Sequence, residues 1–174
     1  MKLNTRRAHL WKNTLAGAGH VLLANRLNTQ SGRCTAVACE TRHLGFAWTP
    51  VKRVSYETAK RIAVIWNSTP IHLQLLDQRA KMLTYPRWEP TYLRRVRVPK
   101  FNGRDGEVLE NVFDQLADAT LPRLRDGADS EIRRQIDEAV ATVGGLDEDE
   151  VAEWRELLSR EPTICNERAP DDEG

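Results

Sequence analysis

Hydrophobic and polar positions divide this chain into three stretches of different spacing. Over residues 1–54 the apolar residues come in short runs: His20–Leu27, then Arg33–Cys39 with Thr35 and Val37, then Leu44–Val51 with Phe46 and Trp48. Runs of this length and composition predict strands. The turn formers Asn28-Thr29-Gln30-Ser31-Gly32 separate the first two runs and predict a hairpin.

The period changes at Ser55, a predicted N-cap. Ala59, Ile62, Ala63 and Trp66 then fall on one stripe and predict a helix near 56–66. Thr69-Pro70 restarts the chain into a second helix near 70–80, with Leu73, Leu76 and Ala80 on its apolar face. Thr69 is read as the capping side chain and Pro70 as the first helical residue. Asn67, Ser68 and Thr69 thus form a structural elbow between two helices. Over residues 81–100, Pro86, Pro90 and Pro99 forbid a long helix, and Tyr92–Val98 alternates in the manner of a strand.

Beyond residue 104 the helical period returns. Val108, Leu109, Val112, Phe113 and Leu116 mark one helix, and Ile132, Ile136, Val140 and Val143 mark another that Gly144-Gly145 ends. Asp147 and Glu150 open a third, with Val151, Trp154, Leu157 and Leu158 on its inner face. The expected fold class is α+β: an N-terminal β-rich part with a central helical pair, followed by a C-terminal helical segment. The expected organisation is a basic part over 1–103, an acidic helical part over 104–165, and a disordered tail over 166–174, which has no apolar anchor.

Charge sharpens this division. Residues 1–103 hold 18 Lys+Arg against four acids, Glu40, Glu57, Asp77 and Glu89, whereas residues 104–174 hold 8 against 21. The halves stand near +14 and −13 and cancel to a formal +1. Such asymmetry points to a polyanion partner, or to neutralisation of one half by the other. A length of 174 residues suits one domain with or without a helical appendage. Three cysteines, Cys34, Cys39 and Cys165, do not make a disulfide framework and suggest a reducing compartment. No run approaches ~20 apolar residues and the basic N-terminus lacks the marks of a secretory signal, so the cytoplasm is the expected location.

Catalytic signatures are missing from the sequence: no G-x-G-x-x-G, no Walker loop, no G-x-S-x-G and no H-E-x-x-H. Cys34, Cys39 and His43 have loose spacing and no fourth ligand nearby, so no metal site is expected. The histidines are scattered and no catalytic residue is assigned. The candidate chemistry is nucleic-acid contact. Arg87-Trp88 is followed by Tyr92, Arg94-Arg95, Arg97 and Lys100. Along an extended segment Arg95 and Arg97 share one face and Arg94 the other, which suits phosphate tracking, with Trp88 or Tyr92 available for stacking or sugar contact. The same strip also reads as a solvated edge strand. Asn28, Gln30 and Arg33 bring amide and guanidinium groups able to contact base edges, though the segment equally makes an ordinary turn.

Taken in order, several words resemble the C-terminal, non-catalytic region of bacterial adenine-N6 DNA methyltransferases of the restriction–modification type. They are Arg26-Leu27-Asn28-Thr29, Leu44-Gly45 with Trp48 and Pro50, Trp66-Asn67-Ser68-Thr69-Pro70, and Tyr85-Pro86-Arg87-Trp88 running to Val98-Pro99. Arg133-Arg134-Gln135-Ile136-Asp137 and Leu158-Ser159-Arg160-Glu161-Pro162 resemble the closing helices of that group. The resemblance spans roughly residues 20–165. It implies a DNA-contacting target-recognition part that works with a methyltransferase catalytic domain or subunit. The family's catalytic tetrapeptide ends in Pro-Pro and an aromatic residue, and this chain has no Pro-Pro. The resemblance therefore carries over double-stranded DNA as partner but no catalysis, with S-adenosylmethionine expected only in the partner. The competing reading is a protein–protein interaction module with no nucleic-acid role.

Overall fold

The computed structural model describes residues 16–27, 32–78 and 88–165. Strands β1 (Gly19–Ala24), β2 (Ala36–His43) and β3 (Trp48–Val51) form a sheet of order β2-β1-β3, with both neighbours antiparallel to β1. The central position explains the unbroken apolar run of β1, where Val21, Leu22, Leu23 and Ala24 are all buried. A Cβ on Gly19 would lie 2.3 Å from the Val51 carbonyl oxygen, so glycine permits the close approach of β1 to the chain at β3. β2 and β3 run parallel on either side of β1, and residues 44–47 carry the chain from one edge to the other.

Seven helices follow among the described residues: α1 (Tyr56–Trp66), α2 (Thr69–Asp77), α3 (Pro90–Leu93), α4 (Gly103–Gln115), α5 (Glu131–Gly144), α6 (Glu148–Ser159) and α7 (Pro162–Cys165). The fold is α+β. α1 packs on the sheet with one side and on α4 with the other, while α2 packs on α6 and α4 on α5. One apolar core draws Val21, Ala63 and Ile65 together with Leu109, Ile136 and Val140, so both charge halves build it.

Local signals explain most helix ends. The Ser55 hydroxyl accepts from the Thr58 amide at 3.2 Å, the predicted cap of α1. Asp147 does the same for α6, taking the Glu150 amide at 3.0 Å. Gly145 adopts φ +63 and closes α5 in the left-handed conformation that glycine tolerates best. Asn102 and Asp105 make a reciprocal capping box at the start of α4.

The elbow between α1 and α2 departs from expectation. Thr69 does not cap α2. Ser68 occupies the N-cap without a side-chain bond, and Thr69 is already helical. The cap comes from Asp137, 68 residues away on α5: its carboxylate accepts the Thr69 amide at 2.7 Å and the Thr69 hydroxyl at 2.8 Å. One turn earlier on α5, Arg133 donates to the Asn67 carbonyl at 3.0 Å, at the C-terminus of α1. The same guanidinium reaches the carbonyls of Arg33 and Pro122. Arg155 of α6 completes the cluster with a 3.0 Å bond to Asp137.

The elbow is polar in composition but buried in fact. Asn67 uses its whole amide: Oδ1 accepts from the amides of Thr35 and Ala36, at 2.7 and 3.2 Å. Its Nδ2 donates to the carbonyls of Ala36 and Ala63, at 2.8 and 2.9 Å. Asn67 therefore clamps β2 to the end of α1. Ser68 is fully buried and donates to the Ile65 carbonyl.

Two further expectations need correction. Tyr92–Val98 is not a strand. Residues 90–93 form the single turn α3 and residues 96–100 run irregularly, because Leu93 and Val96 are the anchored positions and their spacing is helical in the first turn. Leu157, assigned to the inner face of α6, is 63% exposed, while Leu158 is buried. The predicted 70–80 helix ends at Asp77, and Ala80 and the 166–174 tail lie outside the described residues.

Two predictions follow from the elbow. Asp137→Ala leaves Arg155 unpaired and the start of α2 uncapped, and is expected to cost about 3–5 kcal/mol in urea unfolding. Thr69→Ala removes one hydroxyl donor and is expected to cost about 1 kcal/mol; the reverse ranking would mean that Asp137 is not the anchor. The second concerns His72, which is buried and whose Nε2 lies 3.1 Å from the Thr35 hydroxyl. That hydroxyl already donates to the Trp66 carbonyl at 2.6 Å, so His72 is the donor through Nε2–H. Burial, with the Arg133 charge second, holds its pKa well below the ordinary 6.5. The unfolded chain takes up this proton first. The His72 contribution to stability is thus present above about pH 6.5 and is lost on acidification by up to about 1.4 kcal/mol per pH unit. His72→Gln should flatten that slope, measured as urea midpoint against pH.

Candidate nucleic-acid interface

The basic residues sort into two classes once the halves are packed. Those on α1 meet carboxylates of α4: Lys60 lies 2.7 Å from Asp114 and Arg61 2.6 Å from Glu110. Arg134 pairs with Glu131 and Glu138 within α5, both at 2.6 Å. Arg94, Arg95, Arg97 and Lys100 differ. All four are exposed and none has a carboxylate partner among the described residues.

Their backbone is nevertheless held firmly. Trp88 begins the segment as an anchor, 1% exposed, with its amide on the Asn25 carbonyl and its indole Nε1 on the Leu75 carbonyl, both at 2.8 Å. Leu93 and Val96 are buried beyond it. Gln74 of α2 then grips Arg97 at both backbone groups, accepting from its amide at 2.8 Å and donating to its carbonyl at 3.1 Å. Pinned at these points, the segment turns its cationic side chains outward. Arg94 lines a cavity of about 790 Å³ together with Lys52, Trp66 and Phe101. Arg95 and Arg97 line a second groove of about 770 Å³ against Asp77, Leu146 and Trp154. Arg95 also sits over the Tyr92 ring, 5.5 Å from its centroid. The two depressions adjoin at Val98, and the strand expected to set Arg94 on the face opposite Arg95 and Arg97 is absent.

Trp88 was a candidate for stacking on a base or sugar. Its burial and its bond to Leu75 assign it to the core instead. Asn67, Ser68 and Thr69 likewise present nothing to a partner, being buried and internally bonded. Arg33 is exposed, but one guanidinium nitrogen donates to the Leu121 carbonyl at 2.9 Å and braces the approach to α5. Asn28, Gln30 and Arg87 lie outside the described residues. Among the described residues, no three His, Cys, Asp or Glu side chains come close enough to hold a metal, and Cys34 and Cys39 are free, half-buried thiols.

Sequence reasoning missed Arg26, Lys52 and Arg53, which are exposed and without a carboxylate partner among the described residues. Lys52-Arg53 directly follows the last apolar residue of β3, a position where a dibasic pair marks the solvent end of a strand. Comparison of the chain with family models, curated proteins and solved structures returns no match. No helix among the described residues is long and apolar enough to cross a membrane.

The anchor role of Trp88 is testable. Trp88→Phe loses the bond to Leu75 and leaves a cavity in the core, and is expected to cost at least about 1–3 kcal/mol of stability while leaving any DNA affinity of the folded protein unchanged. A variant with native stability and weakened DNA binding would return Trp88 to the contact surface.

Proposed function

We propose that the chain is a DNA-binding target-recognition module or subunit of an adenine-N6 DNA methyltransferase or restriction–modification system, without the catalytic domain itself. The observation that carries this reading is the pinned segment whose Arg94, Arg95, Arg97 and Lys100 have no carboxylate partner among the described residues, whereas Lys60 and Arg61 on α1 are paired with carboxylates of α4. Exposed cations on a fixed backbone, with no carboxylate partner among the described residues, suit phosphate contact. The spread of Arg94, Arg95 and Arg97 over two adjoining depressions suits tracking a backbone more than reading bases. Base contacts fall to Asn28, Gln30 and Arg33, and Arg87 is the next candidate after them. S-adenosylmethionine belongs to the separate catalytic domain or subunit, since this chain has neither its glycine loop nor a Pro-Pro catalytic word.

A protein–protein interaction module is the second reading. It is favoured by the ion pairs Lys60–Asp114 and Arg61–Glu110, through which the acidic half already neutralises part of the basic one. The readings separate in a salt titration with duplex DNA. Phosphate contact predicts that log affinity falls with log salt at about −0.9 per phosphate neutralised, and that alanine at Arg95 or Arg97 weakens all duplexes about equally and lowers the slope by about one contact. Alanine at Asn28, Gln30 or Arg33 is expected to cost about 1–3 kcal/mol on a cognate site only. No binding at low salt, alone or with a methyltransferase partner, would leave the interaction module. The isolated chain is expected to give no calorimetric heat with S-adenosylmethionine.

A further inference from the structure

Phe46 is the most exposed large apolar side chain among the described residues, at 98%; Leu157 follows at 63% and Val98 at 48%. A phenyl ring left wholly in water forgoes the gain that drives such residues inside. The turn that carries it is not slack. The Asn25 amide donates to the Ala47 carbonyl at 2.9 Å, and the Thr49 hydroxyl donates to the Asn25 side chain at 2.5 Å. A Cβ on Gly45 would fall 2.9 Å from the Trp48 ring, so the backbone lies tight on that indole. Ala47 is held at φ +64, one of two non-glycine residues at positive φ among those described; the other is Arg53, beyond the opposite end of β3. Backbone in that region is costly for a residue with a Cβ, and here it adjoins the exposed ring.

Asn25 also joins this turn to the cationic segment. Its amide holds Ala47, and its carbonyl accepts from the Trp88 amide at 2.8 Å. Exposed Arg26 follows directly, with no carboxylate partner among the described residues. The setting is thus an apolar ring on a hydrogen-bonded turn, joined through Asn25 to exposed Arg26 and to the segment proposed to bind phosphate.

We propose that Phe46 is a wedge that enters the base stack of a DNA duplex, with Arg26 holding a phosphate beside it. This rests on the DNA-binding reading above. An apolar side chain can part a base step where neighbouring cations secure the backbone, and the exposed ring then gains the contacts it lacks in the free protein.

The test uses the full chain, a mixed-sequence duplex, and Phe46→Ala beside Phe46→Leu. Thymine oxidation by permanganate reads unstacking, and a salt titration reads phosphate contact. Wild type should raise permanganate reactivity in the duplex. Phe46→Ala should abolish that signal and weaken binding roughly tenfold, with the salt slope and melting temperature unchanged, because the ring packs against nothing. Phe46→Leu should keep much of both signals. If the wild type binds without unstacking, or Phe46→Ala matches it in affinity and reactivity, the wedge is overturned while a normal salt slope leaves the phosphate reading standing. If Phe46→Ala instead loses adsorption to vesicles of anionic phospholipid and binds duplex normally, the turn meets a membrane and the wedge is again overturned. If the wild type binds no duplex at low salt, both readings fall together.

Discussion

A single pair of charges on one face of α5 organises this fold. Arg133 and Asp137 stand one turn apart and straddle the α1–α2 elbow: the guanidinium lies on the carbonyl at the end of α1, the carboxylate on the amide at the start of α2. Each charge complements the helix terminus that it meets, negative carbonyls for Arg133 and positive amides for Asp137. Both groups are buried, which raises the pKa of Asp137 and lowers that of Arg133 to about 10, still charged at neutral pH. Taking two charges out of water is costly, and it is offset here by geometry: Asp137 accepts from Thr69 and Arg155, and Arg133 donates to three carbonyls. An element from the acidic half is thereby the structural cap of the basic half.

The remainder of the architecture follows from that elbow. With the end of α1 in place, the Asn67 amide clamps Thr35 and Ala36 of the β2 approach, and the Thr35 hydroxyl reaches Trp66 and His72. With α2 in place, its Leu75 carbonyl and Gln74 side chain fix Trp88 and Arg97. The path from α5 through the elbow to the cationic segment consists of hydrogen bonds to backbone groups, which set position more tightly than apolar contact alone.

Charge asymmetry, the dominant feature of the sequence, serves two purposes in the folded chain. Part of it is internal, as α1 and α4 exchange Lys60–Asp114 and Arg61–Glu110. Another part stays exposed and without a carboxylate partner among the described residues, from Arg94 to Lys100 and at Arg26, Lys52 and Arg53. Lys60 and Arg61 are neutralised internally, so the +14 of the basic half overstates the charge that a partner meets.

What the sequence determined by itself is local. The strand runs, the stripe of α1 with Ser55 as its cap, the Gly145 stop of α5 and the Asp147 cap of α6 were legible because each depends on residues within one or two turns. What only the tertiary structure decided is every role whose partner lies far along the chain. Thr69 looked like a cap because hydroxyls commonly are; a carboxylate 68 residues away took that task, and no local signal announces it. Trp88 sat among arginines and read as a stacking platform, but Leu75 and Asn25 drew it into the core. Phe46 belonged to an apolar run and was counted with the strand, until the tight turn over Trp48 left it in water. Burial and long-range hydrogen bonding depend on which surfaces meet, and one-dimensional spacing does not contain that information.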